Sequence, residues 1–214
     1  MVYFRHIGIA AVILGLLIFS PLATAREPNE PAYRVIKDDG NMQVREYEPY
    51  IMAQAEAGGD FNGALYSGFM RLFNYISGKN TGRSKIRMTV PVTEEQAATS
   101  EKIPMTAPVT SERSGNNYVV SFIMPANYTL ETLPVPDDKS ITFRQVPAHR
   151  AASIRFSGRM NAELADKKTR ELNEWMAKSG LKPAGDYLLA QYNPPWIPGF
   201  MRRNEVIVSI ENAP

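Results

Sequence analysis

The chain has 214 residues, 44% of them hydrophobic and 21% charged, with a formal net charge of +2. That composition supports one sizeable core and is too short for two generous domains. No Lys/Arg-rich run supplies a nucleic-acid footprint, and with no cysteine neither a disulfide nor a lipidated-cysteine anchor is available.

Residues 1–25 read as a signal peptide. Arg5 is the sole Lys, Arg, Asp or Glu before Arg26, Ile7 to Phe19 is an unbroken apolar run, Pro21 breaks it, and Ala23-Thr24-Ala25 offers a small-x-small cleavage pattern. The run falls short of the ~20 apolar residues that a bilayer-spanning helix needs. Cleavage after Ala25 is therefore expected, the alternative being an uncleaved membrane tether. The mature chain is expected to be exported and soluble, and periplasmic where the cell has an outer membrane.

Residues 26–32 form a linker, and residues 33–214 read as a single domain. Tyr33 to Lys37 and Met42 to Tyr47 alternate as strands around the Asp38-Asp39-Gly40-Asn41 turn. Glu48-Pro49 breaks the chain before a third strand, Tyr50 to Ala57. Asp60 is placed as the N-cap of a helix over Phe61 to Ser77, and Gly78 as its C′ residue. Strands are expected at Lys85 to Thr93, Ile103 to Thr110 and Tyr118 to Met124, and a loop at Leu133 to Lys139. Ile141 to Val146 and His149 to Phe156 repeat the Pro-broken strand pair, Met160 to Lys178 repeats the helix, and Tyr187 to Gln191 and Glu205 to Ile210 bracket a Pro/Trp loop. Strand-Pro-strand-Gly-helix-strands thus occurs twice, about 100 residues apart. The predicted class is α+β, with two helices packed against a curved antiparallel sheet or distorted, open β-barrel.

A sharper repeat lies in the middle. Met88-Thr89-Val90-Pro91-Val92-Thr93 recurs as Met105-Thr106-Ala107-Pro108-Val109-Thr110 seventeen residues later. Each Pro removes a ladder donor, so Pro91 and Pro108 belong on an edge or at a bulge, and Met reads as an adaptable core filler. With Leu72-Phe73-Asn74-Tyr75-Ile76-Ser77-Gly78-Lys79-Asn80, Tyr192-Asn193-Pro194-Pro195-Trp196 and Arg202-Arg203-Asn204-Glu205-Val206, the chain resembles the SOUL haem-binding-protein family from Tyr33 to about Ile210. The resemblance implies a distorted barrel with two flanking helices, like the ligand-binding domains of GyrI-like regulators. It also implies haem or another tetrapyrrole as ligand, on the apolar surface of the first helix.

The two helices differ. Met160, Leu164, Leu172, Trp175 and Met176 form a compact stripe on the second. On the first, Phe61, Leu65, Phe69, Leu72 and Ile76 form one face, and Tyr66, Met70 and Phe73 continue the arc. Only Gly63, Ser67, Arg71 and Asn74 are left as a polar strip. An arc this wide exceeds what one sheet covers. The Leu133 to Pro136 loop or the Pro194 to Trp196 loop covers the surplus, or a ligand or partner does. The candidate ligand-binding residues are Tyr66, Phe69, Met70, Arg71, Phe73 and Lys79. Asn74 falls where the resemblance places a basic partner for a propionate, which leaves that part to Arg71 or Lys79.

Haem iron takes His, Cys, Met or Tyr as axial ligand. His149 is the one histidine after the signal segment, and it shares a strand face with Ala151, Ser153 and Arg155 that reads as solvated. Binding is therefore expected to rest on apolar contact and propionate pairing. The usual catalytic constellations are missing: no G-x-S-x-G elbow, no Cys, and no His/Cys metal spacing. Gly78-Lys79-Asn80-Thr81-Gly82 reads as a helix cap and turn rather than a phosphate loop. Glu46, Glu48 and Glu56 are the remaining candidates for hydrolytic chemistry of the GyrI-like kind, and they read as exposed. The expected function is binding of a tetrapyrrole or another flat apolar compound by a non-catalytic monomer, with no nucleic-acid partner. Docking of a protein partner through the same aromatic surface and the Pro194-Pro195-Trp196 loop is the alternative.

Overall fold

The computed structural model describes residues 30–82 and 100–211. In chain order the elements are β1 (Tyr33–Asp39), β2 (Met42–Tyr47), β3 (Tyr50–Ala57), α1 (Phe61–Ile76), β4 (Asn80–Thr81), β5 (Val109–Ser114) and β6 (Asn117–Ile123), followed by β7 (Val135–Pro136), β8 (Thr142–Val146), β9 (His149–Phe156), α2 (Ala162–Lys178), β10 (Leu188–Gln191) and β11 (Asn204–Ser209).

Nine of the strands make one antiparallel sheet in the order β1-β2-β9-β11-β10-β5-β6-β3-β8, and β4 pairs with β7 apart from it. Exchange β2 with β8, β3 with β9, β5 with β10 and β6 with β11, and the order from β2 to β8 reads the same backwards. The internal duplication is therefore real, and each half lends its first strand to the other: β2 pairs with β9, and β8 with β3. The barrel expectation is corrected to an open sheet whose edges are β1 and β8. Both edges suit water. Arg34, Lys37, Asp38 and Arg144 charge them, and a register shift between Val35 and Lys37 disturbs the β1 edge.

Each helix covers its own half, α1 lying on β3 and β6 and α2 on β9 and β11. Asp60 caps α1 by accepting the Gly63 N–H at 2.8 Å, and Asn161 caps α2 by accepting the Leu164 N–H at 2.8 Å. Gly78, just past the α1 C-cap Ser77, has φ +113°, a left-handed conformation that glycine adopts without a Cβ clash. Leu172, Met176, Ala152, Ile154, Val206 and Val208 pack as the α2 core, while Leu72, Tyr75, Ala53, Ala55, Val120 and Phe122 pack under α1.

The Met88–Thr93 repeat and the strand expected at Lys85 to Thr93 lie outside the described residues. In the second repeat the strand begins only at Val109, because Pro104 and Pro108 deny the preceding stretch its ladder donors. Ile103 is buried and donates its N–H to Ile76 O at 2.8 Å, and Thr106 donates to Ile123 O. Met105, expected as core filler, is exposed instead.

Candidate functional site

The way α1 meets the sheet decides what it leaves outside. Its buried residues are Ala64, Gly68, Leu72, Tyr75 and Ile76. Beneath them lie the small side chains Ala53 and Ala55 beside Val120, and a Cβ built on Gly68 would stand 2.5 Å from Val120 Cγ2. Helix and sheet approach closely along this small-residue seam. At 100° per residue the buried face is centred about 50° away from the face that apolar periodicity selects. The rotation carries Phe69 and Met70 to the half-buried rim and Phe73 and Tyr66 into solvent, 40% and 68% exposed.

Phe69, Met70, Phe73 and Tyr66 therefore form one strip on the outer flank of α1. The rings of Phe69 and Phe73 stack with centroids 5.9 Å apart and planes 12° from parallel. Phe69 also meets Phe122 edge-on at 5.4 Å, so the strip is rooted in the core. Flat, parallel aromatic surface of this kind accepts a planar apolar molecule by stacking and area burial.

The remaining candidates do not converge on the strip. Arg71 lies on the opposite side of α1, where Nε reaches Asp138 Oδ2 at 2.8 Å and Nη1 reaches Glu56 O at 2.7 Å. Lys79 is exposed just beyond the helix end. Leu133 is fully buried against the C-terminal end of α1, and Tyr75 donates its hydroxyl to Pro134 O at 3.0 Å. The Leu133 to Pro136 loop thus covers that end and leaves Phe73 and Tyr66 open. In the other loop Trp196 is itself 78% exposed.

His149 overturns one expectation. Its strand face is interior rather than solvated: Ala151 and Ser153 are buried, and His149 stacks on Tyr47 at 5.3 Å. The sheet curls over this side, so alternating residues on both faces of β9 are buried. That face is turned away from the helices, and His149 does not stand beside the α1 strip.

The interior face carries a charged cluster that sequence reasoning missed. Arg45, on β2, grips Glu205, on β11, through Nη1 at 2.5 Å and Nη2 at 3.1 Å, and both are buried. Tyr192 donates to Glu205 at 2.9 Å, Arg203 donates at 3.0 Å, and Arg203 in turn reaches Glu30 at 2.7 Å. Arg45 also lies over the Tyr33 ring, 4.6 Å from its centroid. Burial opposes ionisation of Glu205, but the two guanidiniums and the tyrosine outweigh it and hold the carboxyl below its ordinary range. Burial pushes the Tyr192 and Tyr47 hydroxyls up. The signal was present as Arg203-Asn204-Glu205, but only the register across β9 shows that Arg45 is the partner.

A scan of family models matches residues 28–209 to the SOUL heme-binding protein model. The chain belongs to the SOUL family. It is 26% identical over 200 residues to human heme-binding protein 2, covering 90% of this chain and 91% of that one. Among solved structures it resembles the EcmrR C-terminal domain, with a TM-score of 0.54 at 14% identity, covering 85% of this chain and 99% of that one. It also resembles a hydrolase from Listeria innocua, with a TM-score of 0.51 at 12% identity, covering 80% and 92%. At these identities the two structures share its fold.

In this SOUL chain a cleft of about 720 Å³ opens at the start of β3, lined by Tyr50, Ile51, Thr106, Ile123, Tyr128 and Glu131 among others. None of the α1 strip lines it. Of the three glutamates weighed for hydrolysis, Glu46 pairs with Arg34, Glu56 accepts from Asn117 at 2.7 Å, and Glu48 is an exposed residue at the cleft. Among the described residues no cluster of His, Cys, Asp and Glu could hold a metal ion.

Proposed function

We propose that this SOUL protein is an exported, non-catalytic carrier of haem or another tetrapyrrole, bound on the outer flank of α1. The observation that carries the reading is the stacked Phe69–Phe73 pair, continued by Met70 and Tyr66, on a helix whose other side is already committed to the sheet. The family and the human relative's name support a tetrapyrrole in particular. The N-terminal run from Ile7 to Phe19 and Ala23-Thr24-Ala25 support export.

The flank suits the group it is proposed to hold. It offers apolar area for the macrocycle and no imidazole for iron, with Met70 and Tyr66 as the strip's side chains of ligating type; binding driven by contact would be shared by iron-bearing and metal-free porphyrins. The buried carboxylate of the interior is spent on ion pairs, which favours binding over hydrolysis. The cleft beneath Tyr128 is the second place for a flat apolar compound, and variants on the α1 strip separate the two. Titration with hemin and with metal-free protoporphyrin, in the wild type and in Tyr66 and Phe73 variants, tests the proposal.

A further inference from the structure

The duplication is broken at one place. In the first half the strands β5 and β6 are joined by a tight turn at Gly115-Asn116, with Ser114 paired to Asn117. In the second half the equivalent strands β10 and β11 are joined by the whole stretch from Tyr192 to Arg203. The fold does not need that length, and an insertion that the fold does not need carries function more often than packing.

The stretch is built rather than loose. Arg202 donates Nε to Ile197 O at 2.7 Å and Nη2 to Pro195 O, Met201 N bonds Pro198 O at 2.9 Å, and Gly158 N bonds Gly199 O at 2.9 Å. Yet it holds Trp196, Phe200 and Met201 outward, 78%, 80% and 62% exposed. No Asp or Glu occurs from Tyr192 to Asn204. Arg159 lies against Gly199, and neither it nor Arg202 has a carboxylate partner among the described residues. A fixed aromatic tip with uncompensated guanidiniums at its base is complementary to the interfacial layer of a bilayer above anionic headgroups.

A second observation points to the same occupant. Glu30 is held by Arg203 at the foot of this loop, so the preceding chain leaves the domain from beside it. From Phe19, the end of the apolar run, to Glu30 the backbone spans at most roughly 40 Å. Where that run is retained as a membrane tether instead of being cleaved after Ala25, the loop is held within reach of the same surface; after cleavage the contact rests on the loop's own aromatic and basic residues.

We infer that the Pro194-to-Arg202 loop is a membrane-contact element, seating Trp196, Phe200 and Met201 in the interface of an anionic phospholipid bilayer with Arg159 and Arg202 at the phosphates. Among the described residues no helix is long and apolar enough to cross a membrane. The contact is separate from the α1 flank and stands or falls independently of the ligand proposed there.

The chain has two tryptophans, Trp175 and Trp196, which makes the test direct. The full chain is reconstituted with vesicles of phosphatidylcholine and phosphatidylglycerol carrying brominated acyl chains. In Trp175→Phe, Trp196 emission shifts to the blue and is quenched at least about two-fold. In Trp196→Phe the remaining Trp175, bonded to Asp39, is not quenched. Phe200→Ser with Met201→Ser abolishes the Trp196 quenching. If Trp175→Phe fails to fold, the difference between wild type and Trp196→Phe gives the same reading. Trp196 that stays equally accessible to aqueous iodide with and without vesicles overturns the proposal. So does a blue shift that appears without lipid and grows with protein concentration, which assigns the loop to a second copy of the chain. Equal quenching on vesicles of phosphatidylcholine alone overturns the part given to Arg159 and Arg202.

Discussion

Gly68 and Val120 fix the roll of α1 on its sheet: a methyl group on Gly68 would meet Val120 Cγ2 at 2.5 Å and Val120 Cβ at 2.7 Å. Neither atom is the far end of a flexible chain, so the helix itself would have to lift. Gly68→Ala is expected to lose about 1–2 kcal/mol of stability, overpacking outweighing alanine's better helix propensity. Gly63→Ala, whose Cβ would meet Asp60 at an ordinary 3.4 Å, is expected to lose nothing and to gain up to about 1 kcal/mol. Urea unfolding of the two variants checks the contrast.

The Arg45–Glu205 pair ties β2 to β11 across β9. Removing one partner leaves the other charge buried, so Arg45→Met or Glu205→Leu is expected to cost about 3–5 kcal/mol. Arg45→Met combined with Glu205→Leu is expected to recover a large part of that loss, leaving Arg203 with Glu30. A double-mutant cycle by urea unfolding measures the coupling. Strictly additive losses would mean that the pair is not coupled.

Asp138 supplies an acid-range handle. Hydrogen bonds from Ser140 and then Arg71 hold its carboxyl at about 2, against an ordinary 3.8. The unfolded chain then takes up the proton more readily than the folded one. The contribution is present in full above about pH 4 and is lost as pH falls toward 2. Asp138→Asn is expected to flatten the stability curve between those values, measured by thermal unfolding at stepped pH. An unchanged slope would place the acid sensitivity elsewhere, with Glu205 the next carboxylate to examine.

Much of this architecture was legible in the sequence, and the failures share a cause. The Asp60 cap, the Gly78 stop, the Pro-broken strand pairs and the duplicated order all depend on neighbours along the chain, and they stand as read. What periodicity could not supply is contact between distant strands. It centred α1 on its largest apolar residues, whereas Ala53, Ala55 and Val120 draw in the small edge marked by Ala64 and Gly68. It took the His149 face for solvent because Ser153 and Arg155 are polar, though the curl of the sheet buries Ser153. Arg45 and Glu205 were invisible as a pair for the same reason. Of the strip proposed as the site, the aromatic composition was readable from the sequence, while its exposure and the commitment of Arg71 to Asp138 were not.

His149 offers a clean negative. It stacks on Tyr47 on the interior side of the sheet, and its Nδ1 lies 2.9 Å from Pro147 O. His149→Ala is expected to leave the hemin Soret band and affinity unchanged within about two-fold, since iron on the α1 flank would be out of its reach. A lost or shifted Soret band in that variant would move the ligand to the interior face.

The measurement closest to the central claim is a paired titration with hemin and metal-free protoporphyrin, followed by Soret absorbance and intrinsic quenching, in wild type and in Tyr66→Ser/Phe73→Ser. Tyr66 is mostly exposed, while Phe73 gives up its stack on Phe69, so the unfolding midpoint is measured beside the titration and is expected to fall slightly with the fold retained. A contact-driven site on the α1 flank predicts saturable one-to-one binding of both ligands to the wild type. It predicts binding weakened about ten-fold or more in the double variant, the equivalent of about 1.4 kcal/mol of lost apolar contact. Equal affinity in the two proteins, or no saturable binding in either, would contradict a tetrapyrrole site on the outer flank of α1.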